Sequence, residues 1–173
     1  SSKKTTGSTS AGRAKPPTVA MATAVGAGEG TLNVIAWAGY AEDGTNDKTQ
    51  DWVHPFEKDT GCKVNVKIGN TSDEMVTLMR SGGGGQYDMV SASGDASLRL
   101  IYGGDVAAVD TAKVPGYKQF FKSFQSPPNN TVKGKHYGIS LQWGPNTLMY
   151  NTTKVKPAPT SWGRWAAPPS ATA

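Results

Sequence analysis

The sequence predicts an α/β fold, a parallel-rich sheet covered by helices. Strand and helix patterns alternate from residue 31 to residue 102 with short connections, and such alternation builds a parallel sheet through crossover units. The first strand pattern contains the continuous apolar run Val34-Ile35-Ala36, as expected of a strand buried on both faces. That run stops at Trp37-Ala38-Gly39-Tyr40, an aromatic pair in a turn. Open α/β sheets bind ligands at the carboxyl ends of their strands, so this turn lies where a site is expected.

Each element follows from its pattern. Thr31–Trp37 is the first strand, and the Gly, Asp and Asn of residues 39–47 make a turn. Lys48–Thr60 reads as a helix with Trp52, Val53 and Phe56 on one face and Gly61 placed to end it. Pro55 is expected to kink or divide that helix near His54. Cys62–Ile68 alternates Val64, Val66 and Ile68 inward as the second strand. Thr71 and Glu74 form a capping box for a helix whose apolar face carries Met75, Leu78 and Met79, and Gly82–Gly85 ends it as a flexible connector. Gln86–Ala92 is the third strand, Ser93-Gly94-Asp95 a turn and Ala96–Tyr102 a helix. Further on, Val106–Val109 reads as a short edge strand and Tyr117–Phe124 as a helical piece. Tyr137–Gln142 and Thr147–Asn151 read as two short strands.

Composition divides the 173 residues further. Residues 1–30 are mostly Ser, Thr, Gly, Ala, Pro and Lys, which cannot bury enough surface to offset ordering entropy. They are expected to form a disordered polar tether. The tail holds Lys3, Lys4, Arg13 and Lys15 against Glu29, so the net charge of +5 owes much to it. Without a dense basic block or interleaved aromatics, it does not read as a nucleic-acid binder. Cys62, the one cysteine, excludes an internal disulfide and a cysteine-based zinc site. No run approaches the roughly 20 apolar residues of a membrane span.

In a parallel sheet three turns converge on one rim: Trp37–Asp43, Ser91–Asp95 and Gln142–Asn146. The first offers Trp37, Tyr40, Glu42 and Asp43. The second offers Ser93 and Asp95, and the third Gln142, Trp143 and Asn146. Aromatic faces beside carboxylates suit an ammonium ligand, at roughly 0.5–2 kcal/mol for each cation–π contact, with charge-assisted hydrogen bonds added. Each residue also has a plainer reading. Asp95 could cap the following helix, Trp37 and Trp143 could be core, and Asp43 reads as a solvated turn residue.

Five segments resemble solute-binding proteins of ABC importers, in particular the spermidine/putrescine group. They are Val34–Tyr40, Asp51–Val66, Thr71–Met75, Tyr87–Ala96 and Gln142–Asn146, in order and with similar spacing across Leu32–Trp162. The resemblance implies a periplasmic-binding-protein-like type II lobe, here with an incomplete second lobe. Residues 31–151 would be ligand-binding lobe I, and residues 152–173 the start of the hinge and an aberrant tail. It implies export to the periplasm or cell exterior, often with a lipid anchor, and a permease and ATPase as partners. It implies a polyamine ligand lined by Trp37, Tyr40, Ser93 and Asp95. Gly39 departs from the acidic residue that relatives often carry there, and Asp95 from an aromatic. Members of this group are about twice as long, so weak binding is expected of this chain alone.

Three rival readings stand beside this one. An enzyme would have only His54 and His136 as imidazole bases, and Ser93 lacks the Gly-x-Ser-x-Gly elbow. No catalytic residue, metal or cofactor is therefore expected. An anion receptor on the same fold could use the helix start at residues 93–97. An interaction module, or a fragment without binding activity, is the third; Met75 and Met79 then read as core.

Overall fold

The computed structural model describes residues 19–81, 85–145 and 147–163. Its central element is β1 (Thr31–Ala36). Helix α1 (Val53–Thr60) leads to β2 (Lys63–Ile68), and α2 (Ser72–Arg80) to β3 (Met89–Val90) and α3 (Gly94–Gly103). The three strands form one parallel sheet in the order β2-β1-β3, with Val34 opposite both Val66 and Met89. Because β2 and β3 flank β1 on opposite sides, right-handed crossovers place α1 and α2 on opposite faces. Two local devices complete the ladder. The Asn33 amide donates to Asp88 Oδ2 at 2.8 Å, and the Asn33 carbonyl accepts from the Asp88 amide at 2.9 Å. At the outer edge of β2, the Val64 amide donates to Glu57 Oε1 at 2.7 Å.

The capping residues set the helix limits. Helix α1 begins at Val53, five residues later than the apolar pattern indicated. Pro55 therefore falls in the first turn, where its missing N–H costs no intrahelical bond and no kink is needed. Gly61 terminates the helix at φ 72°, its amide donating to Glu57 O. Thr71 Oγ1 accepts from the Glu74 amide at 3.1 Å. Glu74 reaches back to the Asn70 amide at 2.9 Å, which closes a capping box one residue wider than usual. The connector at residues 82–84 lies outside the described residues.

One apolar cluster, Ile35, Met75, Val76, Met79, Ala96 and Leu100, joins β1 to α2 and α3, with Trp37, Leu78, Tyr87 and Val90 packed against it. Burying a side chain of this size contributes roughly 1.5–3 kcal/mol. Across the helix pair, Arg80 grips Asp105 at 2.8 Å, and Arg99 pairs with Asp73.

Beyond α3 the pattern is irregular. The expected strand at residues 106–109 is replaced by coil with one strand-like bond, Val109 N–H to His136 O at 2.7 Å. The expected helix over residues 117–124 breaks into a 3₁₀ turn (Tyr117–Gln119) and α4 (Lys122–Gln125), because Phe120 and Phe121 are extended. The only hairpin among the described residues is β4 (Thr131–Val132) with β5 (Lys135–His136). Lys133 and Gly134 both have positive φ at its tip, the I′ geometry that matches strand twist. The expected strands at residues 137–142 and 147–151 are coil wherever described. Residues 19–30 contain no helix or strand until β1's approach, and residues 1–18 lie outside the described set. The described residues divide into two compact units, one up to Leu141 and one from Gln142 onward. In the second, Asn151 Oδ1 accepts from the Thr153 amide at 2.9 Å and organises a turn.

Candidate functional site

The rim grows from the three parallel strand ends. β1 runs directly into the turn Trp37–Tyr40, closed by the Tyr40 amide donating to Trp37 O at 3.1 Å. Gly39 takes φ 83°, which side chains resist. A Cβ there would lie 3.3 Å from Glu42 Oε1, so the Glu42 carboxylate folds into the space beside the turn. Glu42 accepts long bonds of 3.4 Å from Asn46 Nδ2. Its carbonyl takes the Trp52 and Val53 amides at 3.1 and 3.2 Å, which ties the turn to the start of α1. Trp37 is half-buried against the α2/α3 cluster. It shares the sheet face of Ile35, two residues before it.

The ends of β2 and β3 supply the second wall. β2 passes through Gly69, whose amide donates to Ala36 O at 2.9 Å, into α2 at Ser72. β3 passes through Ser91, whose amide donates to Ile35 O at 2.8 Å, into α3. Ser93 is the N-cap residue of α3, and Asp95 lies in its first turn. Ser93 Oγ donates to Asp95 Oδ1 at 2.7 Å. Ser72 Oγ lies 2.6 Å from Ser93 Oγ and 3.5 Å from Asp95 Oδ1. The Ser93 hydroxyl bond holds the Asp95 carboxyl below its ordinary range, against a desolvation cost and with help from backbone amides and Ser72. Asp95 is thus ionised at neutral pH.

The structure brings five expected residues, Trp37, Tyr40, Glu42, Ser93 and Asp95, to one end of one sheet. It brings Ser72 beside Ser93, a contact that sequence reasoning missed; the available signal was that Ser72 starts the helix that follows β2. Asp43 accepts from the Thr45 amide at 2.9 Å, as a turn residue does. Gln142 and Trp143 belong to the second unit, where both are exposed, Trp143 by 74%. Asn146 lies outside the described residues. Ser93 rather than Asp95 holds the N-cap position of α3, so the alternative that Asp95 is the cap residue does not hold; Asp95 lies in the first turn.

Both histidines are engaged elsewhere. His54 Nδ1 meets Asp51 Oδ2 at 2.8 Å, and His136 Nδ1 lies 3.4 Å from Tyr117 and Thr131 oxygens. Among the described residues no group of three His, Cys, Asp or Glu side chains could hold a metal ion. A cavity of about 340 Å³ lies between residues 19–21 and the β4–β5 hairpin, lined by Met21, Asp110 and His136 among others. None of the rim residues lines it, and strand-end chemistry rather than concavity marks the site.

The fold is periplasmic-binding-protein-like, and a solved structure shares it. A Listeria monocytogenes protein described as a spermidine/putrescine ABC transporter matches 58% of this chain and 29% of its own, with a TM-score of 0.51 and 23% identity. The chain belongs to the family of bacterial extracellular solute-binding proteins, whose model matches residues 51–167. Similar proteins include the putrescine-binding periplasmic protein SpuD of Pseudomonas aeruginosa, 28% identical over 127 residues (73% of this chain, 32% of the relative). Another is the putrescine-binding periplasmic protein PotF of Escherichia coli, 26% identical over 144 residues (79% and 35%). The chain thus spans about a third of the length of these relatives. No described helix is long and apolar enough to cross a membrane.

Proposed function

We propose that this chain carries the first ligand-binding lobe of an ABC-importer solute receptor, capturing a small cationic solute of the polyamine class, such as putrescine or spermidine, without catalysis. The feature that supports this reading is the position of Trp37, Tyr40 and Glu42 after β1 and of Asp95 after β3, beyond the carboxyl ends of two neighbouring parallel strands. The rings would stack on methylenes and ammonium groups, the carboxylates would neutralise charge, and Ser93 would orient the amine. Residues 31–151 form the lobe in this reading, and residues 152–173 begin the hinge. The names of the two putrescine-binding relatives support the solute class. The receptor works in the periplasm or outside the cell, held by a lipid anchor or by docking to its permease and ATPase.

One observation favours an anion instead: the N-termini of α2 and α3 meet at the rim, and helix N-termini attract negative charge. A charge change decides between the two. Titration of putrescine into the 15N-labelled chain should move the Trp37 indole and Asp95 amide signals. Asp95→Asn should weaken that binding about fivefold, the effect of losing one exposed charge-assisted bond worth about 1 kcal/mol. If Asp95→Asn strengthens putrescine binding, or succinate binds the parent chain more tightly at these residues, the amine reading is wrong.

A further inference from the structure

We infer that Ser72 is a specificity-determining residue of the rim: it heads a directed hydroxyl chain, Ser72 to Ser93 to Asp95, that presents lone pairs rather than protons to a solute. The inference rests on the amine-binding reading above and deepens it. Each serine hydroxyl has one proton to give, and an ionised carboxylate only accepts. The Ser93 proton is committed to Asp95 Oδ1 at 2.7 Å. The 2.6 Å contact between Ser72 Oγ and Ser93 Oγ must then be held by the Ser72 proton. Both protons point along the chain toward Asp95, so each oxygen offers acceptor capacity to a solute. Two helix starts alone would favour an anion; the chain opposes that field with a carboxylate and two acceptors. The rim therefore takes N–H donors.

The direction of the chain depends on its terminus. An amide in place of Asp95 can donate to Ser93. Ser93 can then donate to Ser72, and the Ser72 proton turns outward. Ser72 should thus help an amine in the parent and an anion in Asp95→Asn.

The test is a cycle of the parent, Ser72→Ala, Asp95→Asn and the double variant, each titrated with putrescine and with succinate. Thr71 remains as N-cap in all four, and far-UV circular dichroism checks that α2 persists. Ser72→Ala should weaken putrescine about threefold in the parent and weaken succinate about threefold in the Asp95→Asn background. Equal effects of Ser72→Ala on both solutes in both backgrounds would overturn the inference. If neither solute binds the parent, the amine reading fails, and the chain is judged by the 13C titration of the Asp95 carboxyl. That titration should rise clearly in Ser93→Ala and by less in Ser72→Ala; no movement in Ser72→Ala sinks the directed chain.

Discussion

Gly69 gives the sharpest stability test. It is buried at the end of β2, and its φ is not among the positive values, so alanine fits its backbone. The space does not fit. A Cβ would stand 2.7 Å from Met75 Cγ, 3.1 Å from Met75 Cε and 3.4 Å from Ile35 Cγ2, and both neighbours are fully buried at 0% exposure. Overpacking of this kind costs about 1–3 kcal/mol. Alanine recovers about 0.4–1 kcal/mol by restricting the unfolded chain, which leaves a net loss of about 1–2 kcal/mol for Gly69→Ala. Met75→Ala alone should cost about 2–5 kcal/mol through the cavity it leaves. It also removes both close contacts, and the nearest remaining one is Ile35 Cγ2 at 3.4 Å. In that background the new methyl fills space, and Gly69→Ala should become neutral or stabilising by up to about 1 kcal/mol. The two changes should couple by about 2 kcal/mol. Urea unfolding of the four chains, with slopes compared, measures this. Additivity within about 0.5 kcal/mol would refute the packing argument.

Gly103 provides the contrast: a Cβ there would lie 2.4 Å from Asp105 Oδ2 and 2.5 Å from Arg80 Nη2. Those are side-chain ends rather than backbone, and Arg80 is exposed and free to move, so Gly103→Ala should cost under about 1 kcal/mol by the same assay. Thr71→Ala removes the α2 cap and should cost about 1 kcal/mol, read as a lower urea midpoint with the slope unchanged. The His54–Asp51 pair should make stability depend on pH. The hydrogen bond that His54 donates to Asp51, then the Asp51 charge, raises His54 above its ordinary 6.5, and the same bond lowers Asp51 below 3.8. The His54 contribution is therefore complete below about pH 6.5 and disappears as pH rises through the raised value. The Asp51 contribution is present above its ordinary value and disappears as pH falls through the lowered one. An NMR titration should place His54 above 6.5, and Asp51→Asn should bring it back down; no change on substitution would sink the pairing.

Local pattern made much of the fold legible. Thr71 and Glu74 announced α2 because capping is a contact between residues three apart. Gly61 announced the end of α1 because only an unhindered residue takes the left-handed turn. The strands expected after residue 136 show the limit of the same reasoning. Alternation describes a side-chain pattern, but a strand forms only where its amides and carbonyls meet a neighbour, and periodicity does not reveal one. Likewise Pro55 pointed to a kink only because the start of α1 had been placed too early.

The sequence by itself determined the kinds of group at the rim: rings at Trp37 and Tyr40, carboxylates at Glu42 and Asp95, a hydroxyl at Ser93. It also determined the alternation that sends strand ends to a common edge. Only the tertiary structure decided which of these touch. The strand order β2-β1-β3 and the packing of α2 on α3 bring Ser72 within 2.6 Å of Ser93, a residue 21 positions away. A hydrogen bond requires that proximity in space, and chain spacing alone does not encode it.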